Sequence, residues 1–126
     1  MPLPLQRTDW MPSPPLAPDD GPIDLDHLRR MTLGDAALER EVLTMFVAQS
    51  DQIVGALADL PERAGELVHT LKGAARAIGA FAVGDAAAAL ETALRKGGDE
   101  SRLALSDLAD AVHQARLAIE TLLGRG

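Results

Sequence analysis

Seven of the eight prolines fall within the first 22 residues, and beyond Ile23 only Pro61 interrupts the chain. Proline removes a backbone donor and holds the residue before it away from helical geometry, so residues 1–22 form neither a helix nor an interior strand. They are expected to be an extended tail that Trp10 or Leu16 could pin to the surface; a loose tail with no role is an equal alternative. Apart from Pro61, residues 23–124 are free of that constraint, and their apolar side chains recur at three- and four-residue intervals, the period of amphipathic helices. The aromatic residues are one tryptophan and two phenylalanines (Trp10, Phe46, Phe81). The core must therefore be leucine, isoleucine, valine, alanine and methionine, which suits packed helices better than a β-sandwich or barrel. At 126 residues the chain has room for one domain. The expected class is all-α.

Five helices are predicted. A short first helix runs from a cap at Asp24 to Met31, with Leu25, Leu28 and Met31 on one face, and Gly34 breaks it. Asp35 caps a second, about residues 36–58, whose core stripe is read as Leu38, Val42, Met45, Phe46, Ile53, Ala56 and Leu57, with Gln49 falling inside it. Leu43, Val47 and Val54 make a thinner stripe on its far side, to be covered by the first helix or the tail, or else offered to a partner. Pro61 suits a first helical turn and opens a third helix reaching about Ala80. The fourth, about residues 82–96, turns Val83, Ala87, Leu90 and Leu94 inward and stops at Gly97-Gly98. Ser101 is read as the cap of a fifth ending near Gly124, with Leu105, Leu108, Val112, Ala115, Ile119 and Leu122 on its inner face. Four long helices with short connections make an antiparallel four-helix bundle over residues 23–124, with a short additional N-terminal helix.

A formal net charge of −7 argues against binding through nucleic-acid phosphates. The absence of cysteine excludes disulfides, thiolate zinc sites and cysteine nucleophiles. No signal-peptide pattern and no apolar run long enough to cross a bilayer is visible, so a cytoplasmic protein without membrane contact is expected, and a monomer.

The third helix carries the chemistry. At about 100° per residue, Ala64, Leu67, Val68, Leu71, Ala74, Ala75 and Ile78 share one stripe, and His69 points roughly opposite, toward solvent. Gly65 and Gly73 flank His69 on its own face, four residues before and after. Glycine inside a helix costs roughly 0.5–1 kcal/mol relative to alanine, and bare backbone on both sides opens the ring to approach by another protein. Lys72 and Arg76 lie one and two turns on, within reach of a phosphoryl dianion held on the ring. His27, beside Arg29 and Arg30, and His113, at the edge of the fifth helix's core stripe, lack such surroundings and are expected to be structural or solvated. Glu66 and His69 have the Glu-x-x-His spacing of metal-binding bundles, but both face outward, so no metal site is expected.

Val68-His69-Thr70-Leu71-Lys72-Gly73-Ala74-Ala75-Arg76-Ala77-Ile78-Gly79-Ala80 resembles the signature of histidine phosphotransfer (HPt) domains, in which His-x-x-Lys-Gly precedes small residues and a second glycine. Leu43–Phe46 and Leu90–Ala93 are similar to the family's helices before and after the active one, so the resemblance spans roughly residues 23–122. It implies that His69 accepts the phosphoryl group, Lys72 balances its charge and Gly73 permits docking, with Gly79 near the helix end. Arg76 stands where the family varies; its proposed contact with the phosphoryl group, like the docking role of Gly65, comes from helical geometry. The resemblance further implies phosphotransfer to and from aspartyl-phosphate receiver domains, or with a hybrid histidine kinase. No cofactor is expected in this chain; Mg²⁺ belongs to the partner receiver. With no glycine-rich nucleotide loop, no ATP-dependent kinase activity of its own is expected. Two alternatives stay open: a module that docks a receiver or kinase without transfer, and the phosphoacceptor domain of a chemotaxis-type kinase.

Overall fold

The computed structural model describes residues 21–97 and 99–124. Trp10, Leu16 and most of the proline-rich segment lie outside the described residues. Among these described residues five helices follow one another: α1 (Leu25–Met31), α2 (Ala36–Leu57), α3 (Ala64–Ile78), α4 (Phe81–Lys96) and α5 (Glu100–Gly124). The first two start where the sequence places a cap. Asp24 accepts from the His27 amide at 3.0 Å and Asp35 from the Leu38 amide at 3.0 Å, each satisfying a donor the helix itself leaves free.

Two starts differ from expectation. Pro61 forms a tight turn, its carbonyl accepting from the Ala64 amide at 2.9 Å, and α3 begins only after it. Leu60, pushed off the helical region by the proline, adopts φ 45°. Ser101 does not cap α5, which begins at Glu100; the serine is buried in the first turn.

Helices α2, α3, α4 and α5 close into a ring, each packing on the next and α5 returning to α2. Connections as short as Gly79-Ala80 between α3 and α4 make neighbours antiparallel. The ring encloses Leu43, Leu57, Val68, Leu71, Ala75, Val83, Leu90, Leu108, Ala115 and Ile119, all essentially buried. Fully burying a side chain such as Leu71 contributes about 1.5–3 kcal/mol, so the ring is the main source of stability. The stripes read for α3, α4 and α5 face this core.

The stripe read for α2 is out of phase. Its buried line is Leu43, Phe46, Ser50, Ile53 and Leu57, whereas Leu38, Met45 and Ala56 are exposed and Val42 is half-buried. The polar Ser50 hid the true stripe. Its hydroxyl donates to the Phe46 carbonyl at 2.8 Å, which lets a small polar side chain occupy a core position. Leu43, assigned to the far side, is therefore core, and the first helix is not its cover. In α1 only Leu28 is buried; Met31, expected on the same face, is exposed.

Helix α1 instead packs on α3 and ties down its end. The Asp24 amide donates to the Gly79 carbonyl at 2.9 Å. The His27 ring meets the Ala77 carbonyl at 3.0 Å through Nε2, which must donate because a carbonyl only accepts. Gly79 closes α3 at φ 90°, and a Cβ there would sit 2.8 Å from the Asp24 carbonyl oxygen. Both facts require glycine. Among the described residues no helix is long and apolar enough to cross a membrane.

Candidate functional site

The α3 core stripe fixes what the opposite face presents. Val68 and Leu71 are fully buried on either side of His69 in sequence, and the His69 side chain is 71% exposed. Burial of its neighbours thus holds the backbone while leaving the ring in solvent. Gly73 lies in the middle of α3 and Gly65 in its first turn; both are exposed, and a Cβ added at either meets nothing within 4 Å. Among the described residues nothing requires these two positions to be glycine. That distinguishes them from Gly79, and from Gly84, where a Cβ would come 2.9 Å from Arg76 Cγ.

Helix α4 supplies the remaining part. Glu91, only 18% exposed, places Oε2 3.1 Å from His69 Nδ1 and Oε1 2.5 Å from Lys72 Nζ. An ionised carboxylate offers only lone pairs, so its hydrogen bond to the ring requires the proton on Nδ1 and leaves the Nε2 lone pair free. The Lys72 ammonium holds the Glu91 carboxyl below the usual glutamate range; partial burial opposes this, and the His69 hydrogen bond adds a smaller lowering. The carboxylate therefore bridges ring and ammonium, with Lys72 half-buried between α3 and α4 and His69 outermost.

The structure thus brings His69 and Lys72 together through a residue that sequence reasoning did not single out. A signal for it was present: Glu91 is the one charged residue between Asp85 and Arg95, in an alanine-rich stretch next to the buried Leu90. Arg76, expected near the phosphoryl group, lies across Gly84 of α4 and makes no ion pair with any described residue. On the α2 side of the same face, Val42, Met45, Phe46, Gln49, Ala74, Ala77 and Ile78 line a shallow, mostly apolar groove. Gln49 is half-buried there and makes no hydrogen bond to His69. His113 is exposed beside Arg116. Among the described residues no three His, Asp or Glu side chains group as a metal site would need.

The arrangement is an exposed imidazole on a helix bundle, held through Nδ1 by a part-buried carboxylate of the next helix, with its other ring nitrogen facing open space. The sequence profile of the Hpt domain family matches residues 41–123, two-thirds of the chain and all of the described site. The chain belongs to the Hpt domain family. Its fold is shared by a rice protein assigned as a histidine-containing phosphotransfer protein. That protein is 22% identical, with a TM-score of 0.72 over 84% of this chain and 82% of the other. The histidine phosphotransferase ShpA from Caulobacter crescentus is 28% identical, with a TM-score of 0.67 over 83% of this chain and 93% of ShpA. No curated protein sequence matches significantly. Within this Hpt domain, the matched span contains His69, Lys72, Gly65, Gly73, Arg76 and Glu91, and excludes α1, which braces α3 from outside.

Proposed function

We propose that this protein carries a phosphoryl group on Nε2 of His69 between aspartyl-phosphate receiver domains of a two-component phosphorelay. The observation that carries the assignment is the His69–Glu91 contact on an otherwise open helix face, because it selects one ring nitrogen as nucleophile and leaves it accessible.

The reaction is an in-line displacement. The Nε2 lone pair forms a bond to the phosphorus of the acyl phosphate, the P–O bond to the receiver's aspartate breaks, and its electron pair leaves with the carboxylate. The Nδ1 proton stays on the ring, which becomes cationic. Reversal of the same steps passes the group onward. Lys72, held within the cluster by Glu91, is one helical turn from His69, and its ammonium keeps further N–H donors to offer the phosphoryl oxygens. Gly65 and Gly73 leave the backbone bare so that a receiver's acidic pocket, bringing its own Mg²⁺ and acceptor aspartate, can close over the ring. Arg76 is placed to meet the phosphoryl group or the receiver only if its side chain leaves Gly84. The chain itself acts as a carrier, with no ATP-dependent kinase activity, and works as a monomer in the cytoplasm.

Phosphotransfer from an acetyl-phosphate-charged receiver, run on wild type and His69→Gln in parallel, tests the proposal. Acid-labile, base-stable label on the wild type alone is expected. Equal labelling of both proteins would place the phosphoryl group elsewhere. A folded wild type that binds charged receivers without taking label would favour a docking module.

A further inference from the structure

With His69 as the phosphoryl carrier, the reading on which this inference rests, the same cluster also governs the phosphorylated state. When Nε2 bonds to phosphorus and Nδ1 keeps its proton, the ring carries a positive charge. Departure of the phosphoryl group then releases a neutral imidazole, a good leaving group. If the Nδ1 proton is lost first, the leaving group is an imidazolate anion and donation slows. The useful life of the carrier as a donor therefore depends on whether that proton stays on the ring as pH rises.

We propose that Glu91 is a positioning residue for the phosphorylated form: its carboxylate keeps Nδ1 of phospho-His69 protonated, so that the protein remains a competent donor above neutral pH. Three observations carry this. Glu91 Oε2 already lies 3.1 Å from Nδ1, on the side of the ring away from the phosphoryl group. The carboxylate is part-buried, its side chain 18% exposed, so water screens its attraction for a ring cation less than it would between two fully exposed groups. Its second oxygen is held by Lys72 Nζ at 2.5 Å, which fixes its direction and favours the ionised form.

The other charged groups near the pair do not substitute for it. Helix α3 presents Lys72 and Arg76, which oppose a ring cation, and Glu66, an exposed residue one turn before His69 that makes no hydrogen bond to the ring. Helix α4 adds Arg95, and the turn before α3 adds Glu62; both line the open cleft beside Gly65 and Glu91. From α2 the groove residues Val42, Met45, Phe46 and Gln49 are not titratable. Among the described residues Glu91 alone makes a polar contact to the ring.

Glu91→Gln separates charge from placement. A glutamine oxygen still accepts from Nδ1–H and so preserves the tautomer, but it does not favour the cation. The protein and its variant are charged at His69 with phosphoramidate, freed of excess donor, and mixed with a receiver domain between pH 6 and 9.5, while ¹⁵N shifts of the ring report Nδ1 protonation. An opposite charge at this range moves a titration by about 1–3 units. The wild-type ring is therefore expected to keep its proton to a pH at least about one unit above the variant's, and to donate about tenfold faster where only the variant has titrated. The wild type also provides its own reference: on unfolding in urea, the Nδ1 titration should move down by a similar amount, whether or not the variant folds. Coincident titrations in folded and unfolded phosphoprotein would overturn the role of Glu91 and leave the carrier assignment intact. Failure of the folded wild type to take phosphoryl at His69 would overturn both.

Discussion

The two glycines flanking His69 allow stability and function to be pulled apart. Gly73 stands in the middle of α3, exposed, with open space where a Cβ would go. Replacing it with alanine adds no clash and removes the helix penalty of glycine, about 0.5–1 kcal/mol. For a domain near 100 residues, each kcal/mol moves the thermal midpoint by about 4–8 °C, so Gly73→Ala should melt about 2–8 °C higher. Gly65 lies in the first turn, where less of the helical penalty applies, and Gly65→Ala should gain less. The sites are about 12 Å apart along the helix and share no partner, so the gains should add. Gly73→Gln keeps a good helix former but places a longer side chain beside the ring; stability should still exceed wild type while transfer from a charged receiver falls at least about tenfold, equivalent to about 1.4 kcal/mol. Thermal melts by circular dichroism and single-turnover transfer rates on the same preparations measure both. A destabilised Gly73→Ala would mean that the space is not open. A stabilised Gly73→Gln that transfers at the wild-type rate would refute the claim that bare backbone serves the partner.

The packing sets further outcomes. Leu71→Ala, at a fully buried position of the ring, should cost about 2–5 kcal/mol in denaturant titration. Gly79→Ala combines a left-handed backbone with a Cβ 2.8 Å from the Asp24 carbonyl, and should cost about 1–3 kcal/mol while loosening α1, seen as faster amide exchange at Asp24. Because Glu91 titrates below its ordinary 4.5 when folded, its stabilising contribution is complete above that value and is lost as pH falls through the lower folded one. Glu91→Gln should therefore flatten the acid limb of the stability profile below about pH 4.5 and leave its shape near pH 7 unchanged.

Legibility from the sequence depended on whether one helix or two had to be known. The α3 stripe was readable because Ala64, Val68, Leu71, Ala75 and Ile78 are unbroken by a polar residue, and the exposure of His69 followed from it. In α2 a buried Ser50 satisfied by its own helix broke the apolar pattern, and the phase slipped toward Met45 and Leu38. The sequence marked Glu91 as a lone charge but not its role, for a different reason. Its role arises only when α4 is laid against α3, where one carboxylate meets both His69 and Lys72 across a separation of about twenty residues. Arg76 shows the converse: helical geometry put its Cα on the right face, but Gly84 of the neighbouring helix gave its side chain somewhere else to lie. Residues on one helix can be placed by periodicity; contacts between helices need the fold.

Everything proposed for this protein turns on one nitrogen of one histidine carrying the phosphoryl group. The most direct measurement is ³¹P–¹⁵N correlation on ¹⁵N-histidine protein charged by a receiver domain. The expected result is a single phosphorus resonance coupled to Nε2 of His69, absent from His69→Gln. Coupling to Nδ1, or to His27 or His113, would contradict that assignment.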